Sequence, residues 1–152
     1  LKVVQISKGA IKAKKAGLWP HVTAMVGYPW ESKHDVQKTV VLAKNLFKNG
    51  QIDSLQATVV IPYPGTPLFD ECKKNKWLKT LNWDDYDMKQ PVMKCSMSDR
   101  EVMEMVNKIF NSIWSPEFVL RKLKEGLTDI DRFKYYSWMA LKFISKRLDF
   151  RV

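Results

Sequence analysis

The residues best placed to bind a ligand lie in two short segments. The first runs Met25-Val-Gly-Tyr-Pro-Trp-Glu31, and the second runs Val59-Val-Ile-Pro-Tyr-Pro-Gly-Thr-Pro-Leu68. Both are predicted to follow β-strands, and the loops at the carboxyl ends of parallel strands are where α/β proteins bind ligands. Each segment also has a purely structural explanation. Gly27 permits a tight turn, Glu31 favours a helix N-terminus, and Pro62–Pro67 forms a rigid turn.

Other residues with reactive side chains do not form a recognisable site. Cys72 and Cys95 are 23 positions apart, and two thiols cannot hold a 4Fe-4S cluster, so they are predicted to be ordinary reduced cysteines. His21 and His34 are separated by a strand and share no helical face, which argues against a metal pair. The acidic run Asp84–Asp87 lacks EF-hand spacing, so solvated turn charges are favoured.

The length suits one ordinary domain, or one compact unit with an appendage, and the composition is sufficient for a hydrophobic core. The chain has 152 residues, of which 45% are hydrophobic and 12% aromatic. No apolar run approaches the roughly 18 residues that a membrane span needs. The chain opens on Leu1, and this opening resembles neither a secretory signal nor a transit peptide. We therefore expect a soluble, cytoplasmic protein.

The formal net charge of +10 raises the alternative of a basic binding module. The densest cluster, formed by Lys8, Lys12, Lys14 and Lys15, contains no aromatic residue, and no RNA- or DNA-binding motif is present. A solvated lysine-rich surface is thus favoured, and nucleic acid is not an expected partner. The competing hypothesis is a non-catalytic module that binds RNA or an anionic membrane, with binding that weakens steeply in salt.

Residues 1–61 carry the clearest structural pattern. A helix is predicted to end at Gly17, a strand to span His21–Val26, and a helix to start at the capping box Ser32-x-x-Asp35. A second strand is predicted at Leu55–Ile61. Strand, helix and strand with short links form a βαβ unit, in which the two strands are parallel.

One face of the second strand is unusually polar. Gln56 and Thr58 share it, whereas parallel strands covered on both faces are mostly apolar. This face is expected either to line a cavity or to belong to an edge strand half open to water.

The remainder is predicted to be a turn, a short helix at Phe69–Trp77, an ordered aromatic loop over 78–97, and then helices. A capping box at Ser98 and Glu101 opens the first helix, and Pro116 begins a second that ends near Gly126. The change from α/β to helical character predicts two domains, 1–97 and 98–152.

A last helix is predicted to open at Thr128 and Asp131 and to extend towards Leu148. Its broad apolar side can either rest on a membrane surface or pack within the protein. The side chains assigned to that side are Phe133, Tyr136, Ala140, Phe143, Ile144 and Leu148, and Lys134, Lys142 and Lys146 lie on or near the other side.

The segments Met25–Glu31 and Val59–Leu68 resemble the later barrel strands of radical S-adenosylmethionine (SAM) enzymes. In that family a GxIxGxxE segment precedes a strand that ends in a Pro-x-Pro-Gly-Thr-Pro turn. The amino-acid sequence of Met25–Glu31, together with the later Asn82-Trp83-Asp84, most resembles the branch that carries an N-terminal cobalamin-binding domain. Members similar to the magnesium-protoporphyrin monomethyl ester cyclase and to hopanoid-type enzymes act on hydrophobic substrates. The resemblance covers about residues 10–97.

This resemblance implies a fold and a set of site residues. The fold is a partial, incomplete TIM-like α/β barrel containing the parallel βαβ unit, followed by an all-helical C-terminal region. Thr23 departs from the family's first glycine, whereas Gly27 and Glu31 match its later positions. The residues implied in cofactor binding are Met25, Gly27, Glu31, Val60, Ile61 and Pro62. Glu31 is expected to brace the loop or the following helix. The residues implied in substrate contact are Tyr28, Tyr63 and Trp83.

The resemblance also implies cofactors and partners. The parent protein would use SAM, a 4Fe-4S cluster and cobalamin, and would methylate or cyclise a small hydrophobic metabolite, as a methyltransferase or an oxidoreductase. No CxxxCxxC motif occurs here, so the cluster and cobalamin ligands would lie in the remainder of the polypeptide, namely the N-terminal barrel half and the cobalamin domain. The isolated fragment is expected to be inactive and cytoplasmic, with peripheral membrane contact as a further option.

Overall fold

The computed structural model describes residues 2–112, 116–128, 130–131, 133–138 and 141. Its elements are α1 (Val3–Lys15), β1 (His21–Val26), α2 (Lys33–Lys48), β2 (Ser54–Val59), α3 (Pro67–Lys74), a 3₁₀ turn (Trp83–Asp85), α4 (Asp99–Asn111) and α5 (Pro116–Thr128). The chain divides into two compact units, Leu1–Ile113 and Trp114–Val152.

The predicted βαβ unit is confirmed. Strands β1 and β2 are hydrogen-bonded neighbours, run parallel, and pair from His21 opposite Ser54 to Val26 opposite Val59. Strand β2 ends at Val59, two residues before the predicted end. The amide of Val60 still donates to the carbonyl of Val26 at 2.9 Å, but Pro62 has no amide hydrogen with which a ladder could continue.

The predicted capping boxes and the predicted glycine stop lie at the ends of the helices, as expected from the sequence. Ser32 and Asp35 form the capping box of α2, and Ser98 and Glu101 form that of α4. Helix α1 ends at a left-handed Gly17, and the next amide donates to the carbonyl of Ala13 at 3.0 Å, as in a Schellman motif.

The short helix α3 begins and ends earlier than predicted. Thr66 caps it by accepting a hydrogen bond from the amide of Phe69, and Pro67 occupies its first turn. The chain leaves the helix at Lys76, which adopts a left-handed φ of 55°.

The core of the first unit forms between the sheet and helix α4. This helix packs against both strands and against α2. Its inward side chains Val102, Met105 and Ile109 are essentially inaccessible to solvent. Helix α4 therefore belongs to the same unit as the strands. The division into domains 1–97 and 98–152, which rests on a change of sequence character, stays a prediction.

The second unit contains α5 and the residues that follow it. Helix α5 starts at Pro116 and reaches Thr128, two residues beyond the predicted end. Residues 130–131, 133–138 and 141 are helical, in the region of the predicted last helix. The predicted positions Ala140, Phe143, Ile144 and Leu148, with Lys142 and Lys146, lie outside the described residues.

The protein is thus a mixed α/β structure with a two-stranded parallel sheet. The α/β class and the parallel pairing agree with the sequence, and closure into a barrel stays a prediction. Across the described part of the chain, no helix combines the length and apolarity needed to cross a membrane.

Candidate functional site

The carboxyl ends of β1 and β2 meet at one rim of the sheet. The hydrogen bond from Val60 to Val26 holds the two ends side by side. Gly27 follows β1 immediately, with φ of 105°, a region that favours glycine. The structure thereby brings together the two segments that the sequence singled out, Met25–Glu31 and Val59–Leu68.

Glu31 braces the loop after β1, as the sequence predicts. Its Oε2 accepts a hydrogen bond from the amide of buried Gly27 at 2.8 Å. Its own carbonyl accepts a hydrogen bond from the hydroxyl of Ser96 at 2.6 Å. The first contact satisfies an amide that leaves the sheet, and the second ties the end of the aromatic loop to the same turn. A direct role of Glu31 towards a cofactor stays a prediction.

One face of the sheet is open along most of β1. Thr23, Met25 and Gln56 are exposed on it, and Met25 lies in register with half-buried Thr58. Met25 has half of its surface accessible, 50%. The face closes towards its carboxyl end, where Val60 is buried. It is therefore a partly apolar surface with a covered end, on which a ligand could lie flat.

The main-chain groups beyond β2 are not all available to a ligand. The amide of Val60 is used by Val26, and Pro62 has no amide hydrogen. The amide of Ile61 makes no hydrogen bond within the described residues. Of the main-chain amides at Val60–Pro62, that of Ile61 is thus the one left for a ligand.

A hydrophobic cluster closes the rim behind these strand ends. Tyr28 and Ile61 pack against it, together with Leu68, Trp77 and Leu78. Its buried members are Val60, Cys72, Tyr86, Val92 and Met93. The side chain of Pro62 is also fully buried, so its side chain supports the turn.

The three aromatic residues predicted to meet substrate have different surroundings. Tyr28 stacks on exposed Trp30 with ring centroids 5.3 Å apart. Tyr63 is more exposed, and its hydroxyl lies 3.5 Å from the carbonyl of Tyr86. Trp83 is exposed and lies against Tyr86, with 5.0 Å between centroids. Tyr63 and Trp83 thus both contact Tyr86, whereas Tyr28 faces Trp30.

Charged side chains link the two helix N-termini beside the rim. Lys33 Nζ lies 2.8 Å from Glu101 Oε1. This hydrogen bond, with those from Ser98, lowers the pKa of Glu101 from 4.5 to about 2. Hydrogen bonds from Ser32 and Lys38 likewise lower the pKa of Asp35 to about 2. Both carboxylates are therefore charged at neutral pH and act as helix caps, not as proton donors.

Residues outside the rim make contacts that suit structural roles. His21 Nδ1 lies 2.8 Å from Ser54 Oγ, across the two strands. Asp85 accepts a hydrogen bond from Thr80, and Asp87 pairs with Lys89 at 2.7 Å. In the described part of the chain, no group of three or more His, Cys, Asp or Glu side chains could hold a metal ion.

Both cysteines are free, and one of them is deeply buried. Cys72 Sγ lies 3.3 Å from Met93 Sδ, and burial raises the pKa of its thiol. Cys72 also lines a groove of about 420 Å³. Its lining also includes Lys73, Lys76, Leu78, Lys79, Thr80 and Leu81.

Sequence reasoning missed two contributors to the rim, Ser96 and Trp77. Ser96 reaches Glu31 across 65 positions of sequence, and no local pattern signals such a contact. Trp77 packs behind Tyr28 and makes an edge contact with Trp30 at 6.3 Å. The cluster of aromatic residues around 77–86 was the available signal for Trp77.

Comparison with known proteins gives one informative similarity. An uncharacterized methyltransferase of Pyrococcus horikoshii is 35% identical to the chain over 120 residues, which cover 78% of the chain. The same alignment covers 25% of that protein, so the chain spans about a quarter of the length of the relative it matches. No family model matches the chain.

Proposed function

We propose that the chain is the C-terminal part of the barrel of a radical SAM methyltransferase, associated with cobalamin and acting on a hydrophobic metabolite. The similarity to a methyltransferase supports a methyl-transfer reaction and the use of SAM. The two rim motifs support the radical SAM branch, with methylation or cyclisation as the reaction. The enzyme would be the whole polypeptide, and this chain would form one side of its barrel.

The observation that carries the proposal is the juxtaposition of the β1 and β2 ends. Both strands run parallel and deliver Gly27 and the Pro62 turn to one rim. Each strand has one unpaired edge within the described residues, which is compatible with further strands in a barrel. In such a barrel the face that carries Met25 and Thr58 would line the interior.

The residues present fit the nucleoside part of SAM. Met25 offers half-exposed apolar surface for an adenine ring, and Thr58 lies beside it. The amide of Ile61 is available at the strand end to donate to a ring nitrogen. An apolar contact with one or two directed hydrogen bonds is the usual composition of a small-molecule site.

The residues present do not fit an iron–sulfur cluster. Such clusters are held by several cysteine thiolates at close spacing. Cys72 is buried against Met93, and the described residues provide no three-ligand group. The cluster would have to be ligated by another part of the polypeptide, and SAM bound to it supplies radical chemistry. The residues of this chain would bind and orient the nucleoside, and the Tyr28, Tyr63 and Trp83 region would exclude water from an apolar substrate.

The full-length protein that contains this chain provides the test. We expect it to bind SAM after anaerobic reconstitution of its cluster and to release 5′-deoxyadenosine when reduced. Met25→Ala should weaken SAM binding roughly fivefold, since it removes apolar contact surface worth on the order of 1 kcal/mol. Equilibrium dialysis with labelled SAM measures the change.

The matched control is Val41→Ala on helix α2, which removes another exposed apolar side chain, with 56% of its surface accessible. This variant should bind SAM as the native protein does. The proposal fails if the full-length protein has no CxxxCxxC motif before this chain. It also fails if Met25→Ala and Val41→Ala have the same SAM affinity.

A further inference from the structure

Helix α5 exposes its apolar side. Leu120, Leu123 and Leu127 have 58%, 57% and 83% of their surface accessible. Their spacing of three and four residues places them in one stripe along the helix. We call these three residues the leucine stripe.

The opposite side of α5 carries charged residues that are held within the second unit. Lys122 Nζ lies 2.8 Å from Glu125 and 3.0 Å from the hydroxyl of Tyr136, which itself donates to Glu125 at 2.7 Å. The ammonium group also lies 4.8 Å from the centre of the Tyr136 ring. The side chains of Lys122 and Glu125 have accessibilities of only 12% and 20%.

This arrangement fixes the orientation of the helix. A side chain at Gly126 would meet Phe133 Cδ2 at 3.4 Å, so the two segments pack closely there. Turning the leucine stripe inward would break the Lys122–Glu125–Tyr136 contacts and bring large side chains to this close approach. The packing of α5 against the following segment therefore keeps the leucine stripe exposed.

The second unit exposes further apolar side chains besides the leucine stripe. Among the described residues of this unit, those also exposed are Val119, Ile130, Phe133, Tyr135, Trp138 and Leu141. Such a number of exposed apolar side chains in a short stretch of chain is typical of an interaction site. Tyrosine and tryptophan are the side chains that favour the boundary between water and lipid.

The net positive charge of the second unit favours an anionic partner. Residues 114–152 contain nine Lys and Arg against five Asp and Glu, a net charge of +4. Lys124 lies beside the leucine stripe on α5 and is exposed, as is Lys134. Apolar side chains flanked by cations suit a surface of anionic phospholipid, because each basic residue near the surface adds electrostatic attraction.

We propose that the second unit docks on the surface of an anionic phospholipid membrane, with the leucine stripe inserted at the headgroup boundary. Docking would bring the protein to the phase in which hydrophobic metabolites dissolve. The proposal does not depend on the chemistry of the sheet rim.

Vesicle binding by the full 152-residue chain tests the docking. We expect sedimentation with vesicles of phosphatidylcholine mixed with phosphatidylserine, and much weaker binding to phosphatidylcholine alone. The variant Leu120→Ser/Leu123→Ser/Leu127→Ser should lose affinity by roughly tenfold for each inserted leucine. The matched control, Leu18→Ser/Val41→Ser/Leu81→Ser, removes equally exposed apolar residues from the first unit and should bind as the native chain does.

A charge series separates the electrostatic contribution. Lys124→Glu/Lys134→Glu should weaken binding to the anionic vesicles severalfold, whereas Lys15→Glu/Lys44→Glu in the first unit should change it little. Circular dichroism would verify that each variant keeps its helices. Equal binding by the native chain and the leucine variant would overturn the proposal. So would absence of vesicle binding together with dimerisation that the leucine variant abolishes, since the stripe would then join two copies.

Discussion

At the scale of single residues, the rim depends on the backbone of Gly27. Its φ of 105° is rarely adopted by residues with a side chain, and a Cβ atom there would lie 3.4 Å from Val102 Cγ1 of α4. Its amide is held by Glu31 at 2.8 Å. One glycine thus connects the end of β1, the following turn and the helix behind the sheet.

We therefore predict that Gly27→Ala lowers the free energy of unfolding by about 1–3 kcal/mol, the usual cost of a side chain in a strained backbone region. Gly9→Ala is the matched control, because Gly9 lies inside α1 with nothing within 4 Å of its missing Cβ. The control should stabilise the chain by up to about 1 kcal/mol, since alanine favours helices over glycine. Urea denaturation measures both changes, and equal effects of the same sign would contradict the prediction.

The identity of the rim residues could be predicted from sequence, but their contacts could not. The Gly- and Pro-marked ends of the strands are local signals, and the bracing role of Glu31 followed from its position. The hydrogen bond from Ser96 to Glu31 joins residues 65 positions apart, and the local sequence around either residue does not predict it. The use of the Val60 amide by Val26 is likewise a consequence of strand pairing.

At the scale of elements, two capping boxes set where α2 and α4 begin. Glu101 accepts hydrogen bonds from the hydroxyl and amide of Ser98 and also pairs with Lys33 of α2. These contacts form in the folded chain and stabilise the ionised carboxylate over the protonated acid. The pKa of Glu101 is consequently about 2 in the folded chain against 4.5 ordinarily.

A lowered carboxyl pKa predicts a loss of stability in acid. The unfolded chain takes up a proton at Glu101 at higher pH than the folded chain does, so the contribution is complete above about pH 5 and falls away towards about pH 2. We predict that Glu101→Gln removes part of this acid dependence, with Glu71→Gln on α3 as the control. Urea midpoints measured along a pH series test this, and parallel curves for native and Glu101→Gln chains would contradict it.

The elements themselves were largely accessible to sequence reasoning, because their signals are local. The boundaries of α2 and α4 follow Ser32 and Ser98, and the end of α1 follows Gly17. The outward orientation of the leucine stripe on α5 was not accessible. It depends on the pairing of Lys122 and Glu125 with Tyr136, which lies on the following helical segment.

At the scale of the whole molecule, helix α4 completes the first unit. It packs on both strands and on α2, and its side chains Val102, Met105 and Ile109 are buried. Burying one such side chain contributes about 1.5–3 kcal/mol. Without this helix, the side of the two-stranded sheet that packs against α4 would be exposed to solvent.

We predict that a chain of residues 1–113 folds cooperatively, whereas a chain of residues 1–97 does not. The longer chain keeps α4 against the sheet, and the shorter one exposes that side of the strands. Thermal unfolding followed by circular dichroism distinguishes the two, with the 152-residue chain as reference. A cooperative transition of the 1–97 chain would show that α4 is dispensable and would favour a domain boundary at residue 98.

The hydrogen bond between Ser96 and Glu31 has a consequence for the order of folding. Strands β1 and β2 pair across a separation of 33 positions, whereas Ser96 must close a loop of 65 positions to reach Glu31. Longer closures cost more chain entropy and slow the steps that depend on them. We therefore expect the βαβ unit to assemble before the aromatic loop joins it, so that the rim acquires its final shape late in folding.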